Sequence, residues 1–140
     1  METQWTTALK ESISVKIQEL NSYLVLFNKE RVLLLKRKND LWEFPGGAVD
    51  WGENPQKAAV RETQEEAGLV AKNVEFVTLT SATYMKNDDD KHSVYAVYKG
   101  ECESDEVRLS DEHVEYRWLT PREAAYMKLA LNAEGVLELL

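Results

Sequence analysis

GAVDWGENPQKAAVRETQEEAGL, residues 47–69, tells more about this chain than any other stretch. Asn54 is a favoured N-cap, and Pro55 fits a first helical turn, where a missing N–H costs nothing. Gly68 suits the left-handed stop at a C-terminus. The stretch therefore predicts one helix over 55–67. At about 100° per residue, Glu62, Glu65 and Glu66 fall within an arc of roughly 100°. Val60, Thr63 and Ala67 fall on a neighbouring, core-facing arc, and Lys57 and Gln64 face solvent. Three carboxylates at i, i+3 and i+4 repel one another when ionised. Alone, such a cluster reads as an acidic solvated face. Alternatively, a hard divalent cation gives it a purpose. Mg²⁺ takes carboxylate oxygens, keeps some waters and bridges to substrate phosphates. Such ions neutralise phosphate oxygens and lower the pKa of bound water. The Gly46-Gly47 pair lets bare backbone approach, so that a carbonyl can join the ligands.

The same residues resemble the signature box of the Nudix hydrolases, G-x5-E-x7-R-E-U-x-E-E-x-G-U with U apolar. Gly47, Glu53, Arg61, Glu62, Glu65, Glu66 and Gly68 match every position fixed in identity. Chance agreement at one start position has a probability of roughly 10⁻⁸ to 10⁻⁹. Thr63 departs from the aliphatic residue usual at its place. The resemblance implies that Glu62, Glu65 and Glu66 bind metal, with Gly46 contributing its main-chain oxygen. It implies that Arg61 and Glu53 prop the loop against the helix, with Gly47 and Gly68 as structural glycines. The cofactor implied is Mg²⁺, with Mn²⁺ as a substitute. Family members often carry a further glutamate several residues before a Trp, as metal ligand or general base. In 109–118, LSDEHVEYRW, Glu112 best matches that place and Glu115 is second. Both also read as surface charges.

Composition fits a small enzyme. The chain has 140 residues, expected to form one domain over 1–140 with the box at 47–69. Its net charge of −8, from 17 Lys+Arg against 25 Asp+Glu, disfavours duplex nucleic acid. A single cysteine, Cys102, allows no internal disulfide and suits a reducing, cytoplasmic setting. The two histidines, His92 and His113, make a His/Cys zinc site an unlikely reading of the sequence. The first residues lack a basic segment followed by an apolar one, and no apolar run is long enough to span a membrane. The expected state is a monomer or homodimer. Trp5 is a candidate dimer contact, or part of a frayed terminus.

The rest of the chain reads as α+β. Ile13, Val15 and Ile17 alternate with polar residues, which predicts a strand. Runs 23–27 and 31–36 predict two more, joined by a turn at 28–30. Residues 36–40 form a basic loop, either solvated or carrying Lys36 or Arg37 to a substrate phosphate. The runs 74–84 and 92–99 predict a hairpin with an acidic tip, and 116–119 a last short strand. Thr120-Pro121-Arg122-Glu123 is a capping box opening a terminal helix. This order also resembles the Nudix fold, an α/β/α sandwich with a mixed sheet and a loop-helix-loop box.

The resemblance implies attack of water on a pyrophosphate linkage of a small nucleotide. Candidate rings for stacking on a base are Phe44, Trp42, Tyr84 and Tyr95, each equally able to be core. His113 reads as structural, and Trp118 as core. No proline stands between Pro55 and Pro121, although one about 15 residues past the box is frequent in ADP-ribose-cleaving members. Tyr84 stands where dinucleoside-polyphosphate members often have a tyrosine. The short chain favours a (d)NTP or oxidised dNTP giving NMP and diphosphate. Alternatives are an NDP-sugar, a dinucleoside polyphosphate, or a non-catalytic nucleotide sensor.

Overall fold

A computed structural model describes residues 15–140. Its frame is a mixed, seven-stranded sheet. β1 (Lys16–Asn28) and β2 (Arg31–Arg37) form a hairpin through Phe27↔Val32 and Asn28↔Arg31. Beyond that point the two strands part. β2 turns to pair with β3 (Trp42–Glu43) and β7 (His113–Leu119). The freed edge of β1 takes β4 (Gly46–Ala48) through Asn21↔Ala48, Ser22↔Gly47 and Tyr23↔Gly46. The other edge of β1 runs parallel to β6 (Asp89–Glu101), from Lys16↔Asp90 to Phe27↔Glu101. β5 (Lys72–Lys86) is the antiparallel hairpin partner of β6. Helix α1 (Pro55–Ala67) links β4 to β5 and packs on β1, β4 and β6.

Runs 23–27 and 32–35 are continuously apolar, as expected of strands covered on both faces. Leu24, Leu26, Leu33 and Leu35 pack with Ala59, Ala67 and Leu69 on the α1 side. Tyr23, Val25, Val32 and Leu34 pack with Trp42, Phe44, Ala124, Ala133 and Val136 on the other. That second layer is thin: the one-turn helix α2 (Pro121–Ala124), turns, and a 3₁₀ turn at Leu137–Leu139. The arrangement is α+β with a mixed sheet between two unequal layers.

Three expectations change. The separate strand through Val15 and Ile17 is fused with run 23–27 into the long β1, because β6 pairs along all of it. Ile13 and Trp5 lie outside the described residues. The last strand begins at His113 rather than at 116, because β2 offers a partner as far as Arg37. The terminal helix is one turn long. Its capping box forms as expected, with Thr120 and Glu123 each accepting the other's backbone N–H. Turns at 125–127 follow, and then Trp42 takes up the chain: its N–H donates to Lys128 O at 2.9 Å and its C=O accepts from Ala130 N at 2.8 Å. The chain extends beside β3 to meet those groups, so it cannot continue to coil there.

β4 lies so close to β1 that no side chain fits at Gly46. A Cβ there would sit 2.2 Å from Ser22 O and 2.4 Å from Tyr23 Cδ1. Gly135, at φ 76 with open space around it, is the natural comparison. Gly135→Ala should cost only the left-handed backbone penalty, about 1–2 kcal/mol. Gly46→Ala, forced against backbone, should lower Tm clearly more in thermal unfolding. Equal shifts would mean that β4 does not lie against β1.

Candidate active site

Helix α1 forms over the predicted residues. Asn54 Oδ1 accepts from the N–H groups of Gln56 and Lys57 at 2.9 and 3.4 Å, and Gly68 closes the helix at φ 70. Thr63, the departure from the box pattern, is fully buried, and its hydroxyl donates to Ala59 O at 2.7 Å. Its polarity is therefore satisfied inside the helix. The loop before β7 docks on the end of α1. Arg108 N donates to Ala67 O at 2.9 Å and Ser110 N to Glu66 O at 3.1 Å. These bonds satisfy carbonyls that a helix C-terminus leaves open. They also bring Glu112 and His113 to Glu66.

The box carboxylates divide into two environments. On the outer side, Arg61 is the hub. Its Nε and Nη2 donate to Glu53 at 2.7 and 2.9 Å, and its Nη1 reaches Glu62 and Glu65 at 3.1 Å each. Nη2 also donates to Ala48 O at 3.2 Å, fastening the loop to the helix. Hydrogen bonds from Arg61, with the Asp50 N–H, hold the Glu53 carboxyl down to about 2. Burial raises Glu62, against the opposing charge of Arg61. Gly47 is the contact point, since a Cβ there would meet the Glu62 carboxylate at 2.9–3.1 Å.

On the inner side, Glu66 is 2 % exposed and accepts from Gly46 N at 2.7 Å. Gly46 thus reaches the cluster through its N–H. Burial, only partly offset by that bond and reinforced by Glu43, Glu112 and Glu62, pushes the Glu66 carboxyl up to about 9. Among the described residues no lysine or arginine pairs with Glu66 or Glu112. Ligand atoms of Glu66, Glu112 and His113 all lie within 4.8 Å of one another. This donor set, two carboxylates short of positive charge beside an imidazole, fits a divalent cation.

Behind it stands a buried relay that the sequence reading did not single out. Glu43 accepts from His113 Nε2 at 2.8 Å, from Asn132 Nδ2 at 2.8 Å and from Arg37 Nη2 at 2.8 Å. Burial alone would raise the Glu43 carboxyl, but these three partners outweigh it and hold the group below its ordinary value. His113 Nδ1 faces Glu66 Oε2 at 3.5 Å. The available signal was Glu43 itself, a charge set between Trp42 and Phe44 in an otherwise apolar run.

The structure brings Glu62, Glu65, Glu66 and Glu112 together along the C-terminal half of α1, with Gly46 and Gly47 of β4 against them, while Glu53 and Arg61 fasten the loop before the helix and Gly68 closes it. Glu115 lies on β7 beside Lys36 and Arg117. The three expected substrate contacts fare differently. Arg37 ends β2 and is engaged by Glu43, so it is not a free loop cation. It does line an open cleft of about 390 Å³ together with Lys38, Asn39, Glu43, Glu112 and His113. Phe44 is fully buried in the core and offers no face to a base; Trp42 and Tyr95 are likewise buried. Tyr84 lines a different cleft and bonds Ser93 Oγ at 3.0 Å. Inside the box, Trp51 is an exposed ring at the tip of the turn closed by Glu53 N donating to Asp50 O at 2.9 Å.

The buried carboxyl makes stability depend on pH. Glu66 in the fold holds its proton up to about pH 9, against an ordinary value of 4.5. Folding therefore takes up a proton between those values. The contribution of this group is complete below the lower one and is lost as pH rises toward the higher. Glu66→Gln carries no charge and still accepts from Gly46. In metal-free buffer its Tm advantage over wild type should be near zero at pH 5 and clearly positive at pH 8. A difference that does not change with pH would place Glu66 in water.

Comparison with known proteins gives this geometry a family. The NUDIX domain model matches residues 19–140. The chain is 34% identical over 110 residues to an asymmetrical bis(5'-nucleosyl)-tetraphosphatase of Sus scrofa, covering 76% of this chain and 75% of that protein. A putative 8-oxo-dGTP diphosphatase of Bacillus subtilis is 51% identical over 49 residues, 34% of this chain and 33% of that one. Among solved structures, a MutT NUDIX hydrolase from Burkholderia pseudomallei superposes with a TM-score of 0.77 at 26% identity, over 89% of this chain and 98% of that one. With its box carboxylates gathered at the end of α1, the chain belongs to the Nudix family and is a pyrophosphohydrolase.

Proposed function

We propose that the enzyme hydrolyses nucleoside polyphosphates with Mg²⁺, for which Mn²⁺ substitutes, and that dinucleoside tetraphosphates cut asymmetrically are its preferred substrates. The observation that carries the substrate is the extent of the match to the tetraphosphatase, which covers about three quarters of both chains. The diphosphatase match is closer in identity but spans 49 residues, little more than twice the box. The box carboxylates serve the diphosphate, and other side chains select the rest of the molecule. A (d)NTP or oxidised dNTP, giving NMP and diphosphate, is the second reading on the strength of that local identity. A purely nucleotide-sensing role is disfavoured by the complete set of box carboxylates. The single cysteine supports a cytoplasmic location. Among the described residues no helix is long and apolar enough to cross a membrane.

In this reading Glu66 and Glu112 hold the cation, with Glu62 and Glu65 on the same helix. A cation bound there supplies charge for the phosphate oxygens and a more acidic water. Glu112, exposed at the cleft, accepts the proton of the attacking water. The new bond joins the water oxygen to phosphorus, and the bridging oxygen leaves with its electron pair on the departing phosphate. Lys38 and Arg37 at the cleft rim attract the polyphosphate, and the exposed Trp51 offers a ring to a base.

Two measurements test this. Glu66→Gln and Glu112→Gln should each lower kcat by about 10²-fold or more. Glu115→Gln, paired with lysine and arginine on β7, should stay near wild type. Crippled Glu115→Gln beside active Glu112→Gln would reassign the base. In a product assay with Mg²⁺, a dinucleoside tetraphosphate should give a nucleoside triphosphate and a monophosphate with the highest kcat/KM. Higher kcat/KM on dNTPs would select the second reading. No metal-dependent phosphate release from any substrate would leave the sensor.

A further inference from the structure

His113 has one nitrogen fully used and one unused. It is 5 % exposed, and its Nε2 is fixed on Glu43 at 2.8 Å. Glu43 is itself pinned by Asn132 and Arg37, so the ring has no freedom to turn away. A neutral imidazole that donates from Nε2 carries its lone pair on Nδ1. That Nδ1 is buried and without a hydrogen-bond partner. It points at Glu66 Oε2 from 3.5 Å, beyond the ~2.7–3.2 Å of a good N–H···O bond. Glu112 joins the same cluster within 4.8 Å.

We propose that His113 Nδ1 is a metal ligand, forming with Glu66 and Glu112 a mixed nitrogen-oxygen centre. The proposal rests on the metal-dependent reading of the site above. An N–O separation of 3.5 Å suits a shared ion. Ligands about 2.1 Å from one ion lie about 3.0 Å apart at right angles and about 3.4 Å apart at the tetrahedral angle. The carboxylate behind the ring is the arrangement that fixes tautomer and orientation in histidine metal ligands. Mg²⁺ needs no nitrogen, whereas imidazole suits the transition metals. The centre therefore favours Mn²⁺ and Co²⁺ over Mg²⁺ more strongly than carboxylates alone would.

The test uses the whole chain, stripped with chelator and loaded with substoichiometric Mn²⁺. Pulsed EPR reads nitrogen coupling to the bound ion. Histidine labelled with ¹⁵N identifies the source, since the chain has two histidines. Wild type and His92→Gln should show a histidine coupling that changes isotope with the label. In His113→Gln it should vanish, with Mn²⁺ affinity down about tenfold or more and Mg²⁺ affinity changed less. Bound Mn²⁺ without histidine coupling in wild type overturns the proposal, whether or not the variant folds, and leaves metal-dependent hydrolysis standing. Coupling that persists in His113→Gln overturns it as well. Wild-type hydrolysis undiminished in excess chelator would instead overturn the metal-dependent reading.

Discussion

The N–H of Gly46 donates to the Glu66 carboxylate at 2.7 Å, and this bond joins the sheet to the helix where β1 has parted from β2. It requires three things at once. β4 must lie flat against β1, which only a glycine permits at position 46. The helix must begin at Pro55, capped by Asn54, so that its fourth turn is level with that strand. The glutamate must be buried, away from the water that would stabilise its charge. Two unit charges about 5 Å apart at an effective dielectric of ~20 repel by about 3 kcal/mol. Burial first, and then the charges of Glu43 and Glu112, make Glu66 hold its proton.

The two sides of the box solve different electrostatic problems. Arg61 touches Glu53, Glu62 and Glu65 at the surface, where each pair alone contributes little. Its value is geometric: one planar fork holds the loop backbone at Ala48 and the helix in fixed relation. Glu43 lies deep in the structure, where a lone carboxylate would be costly, and three donors from β2, β7 and the C-terminal turns satisfy it. Those donors come from segments far apart in sequence, so the relay also ties the thin C-terminal layer to the site. Asn132 would otherwise have no evident reason to be buried.

What the sequence made legible follows from the range of the interactions concerned. The helix over 55–67 was readable residue by residue because its caps and carboxylate arc are local. Glu112 was placed by its spacing to Trp118 within one segment. The relay was not readable, because Glu43, His113 and Asn132 meet only after the sheet has folded. The capping box at Thr120 was readable, but the path after its helix was not, because residues 128–130 extend to pair with the backbone of Trp42, far away in sequence. The aromatic candidates were equally open to a core reading: Phe44, Trp42 and Tyr95 are buried, while Tyr84 lines a separate cleft. Phe44 and Tyr95 look alike in sequence whether they face a base or a core, and the sheet places both in the core.

That burial bears on where substrate choice resides. The rings nearest Pro45 and β4, those of Tyr23, Trp42 and Phe44, are used up in packing against the thin layer, so they hold that strand in place and offer no open face. In the proposed reading, contacts to base and sugar fall to loops: the turn carrying Trp51, the rim at Lys38, and the segment before β7 that carries Glu112. Loops on a rigid frame change with little effect on the fold. The diphosphate, in the same proposed reading, is addressed by backbone and carboxylates whose positions the sheet and α1 fix together. A chain built in this way can keep one chemistry while its loops move between substrates. The box carboxylates therefore mark the reaction class with great specificity and leave the choice of nucleotide open.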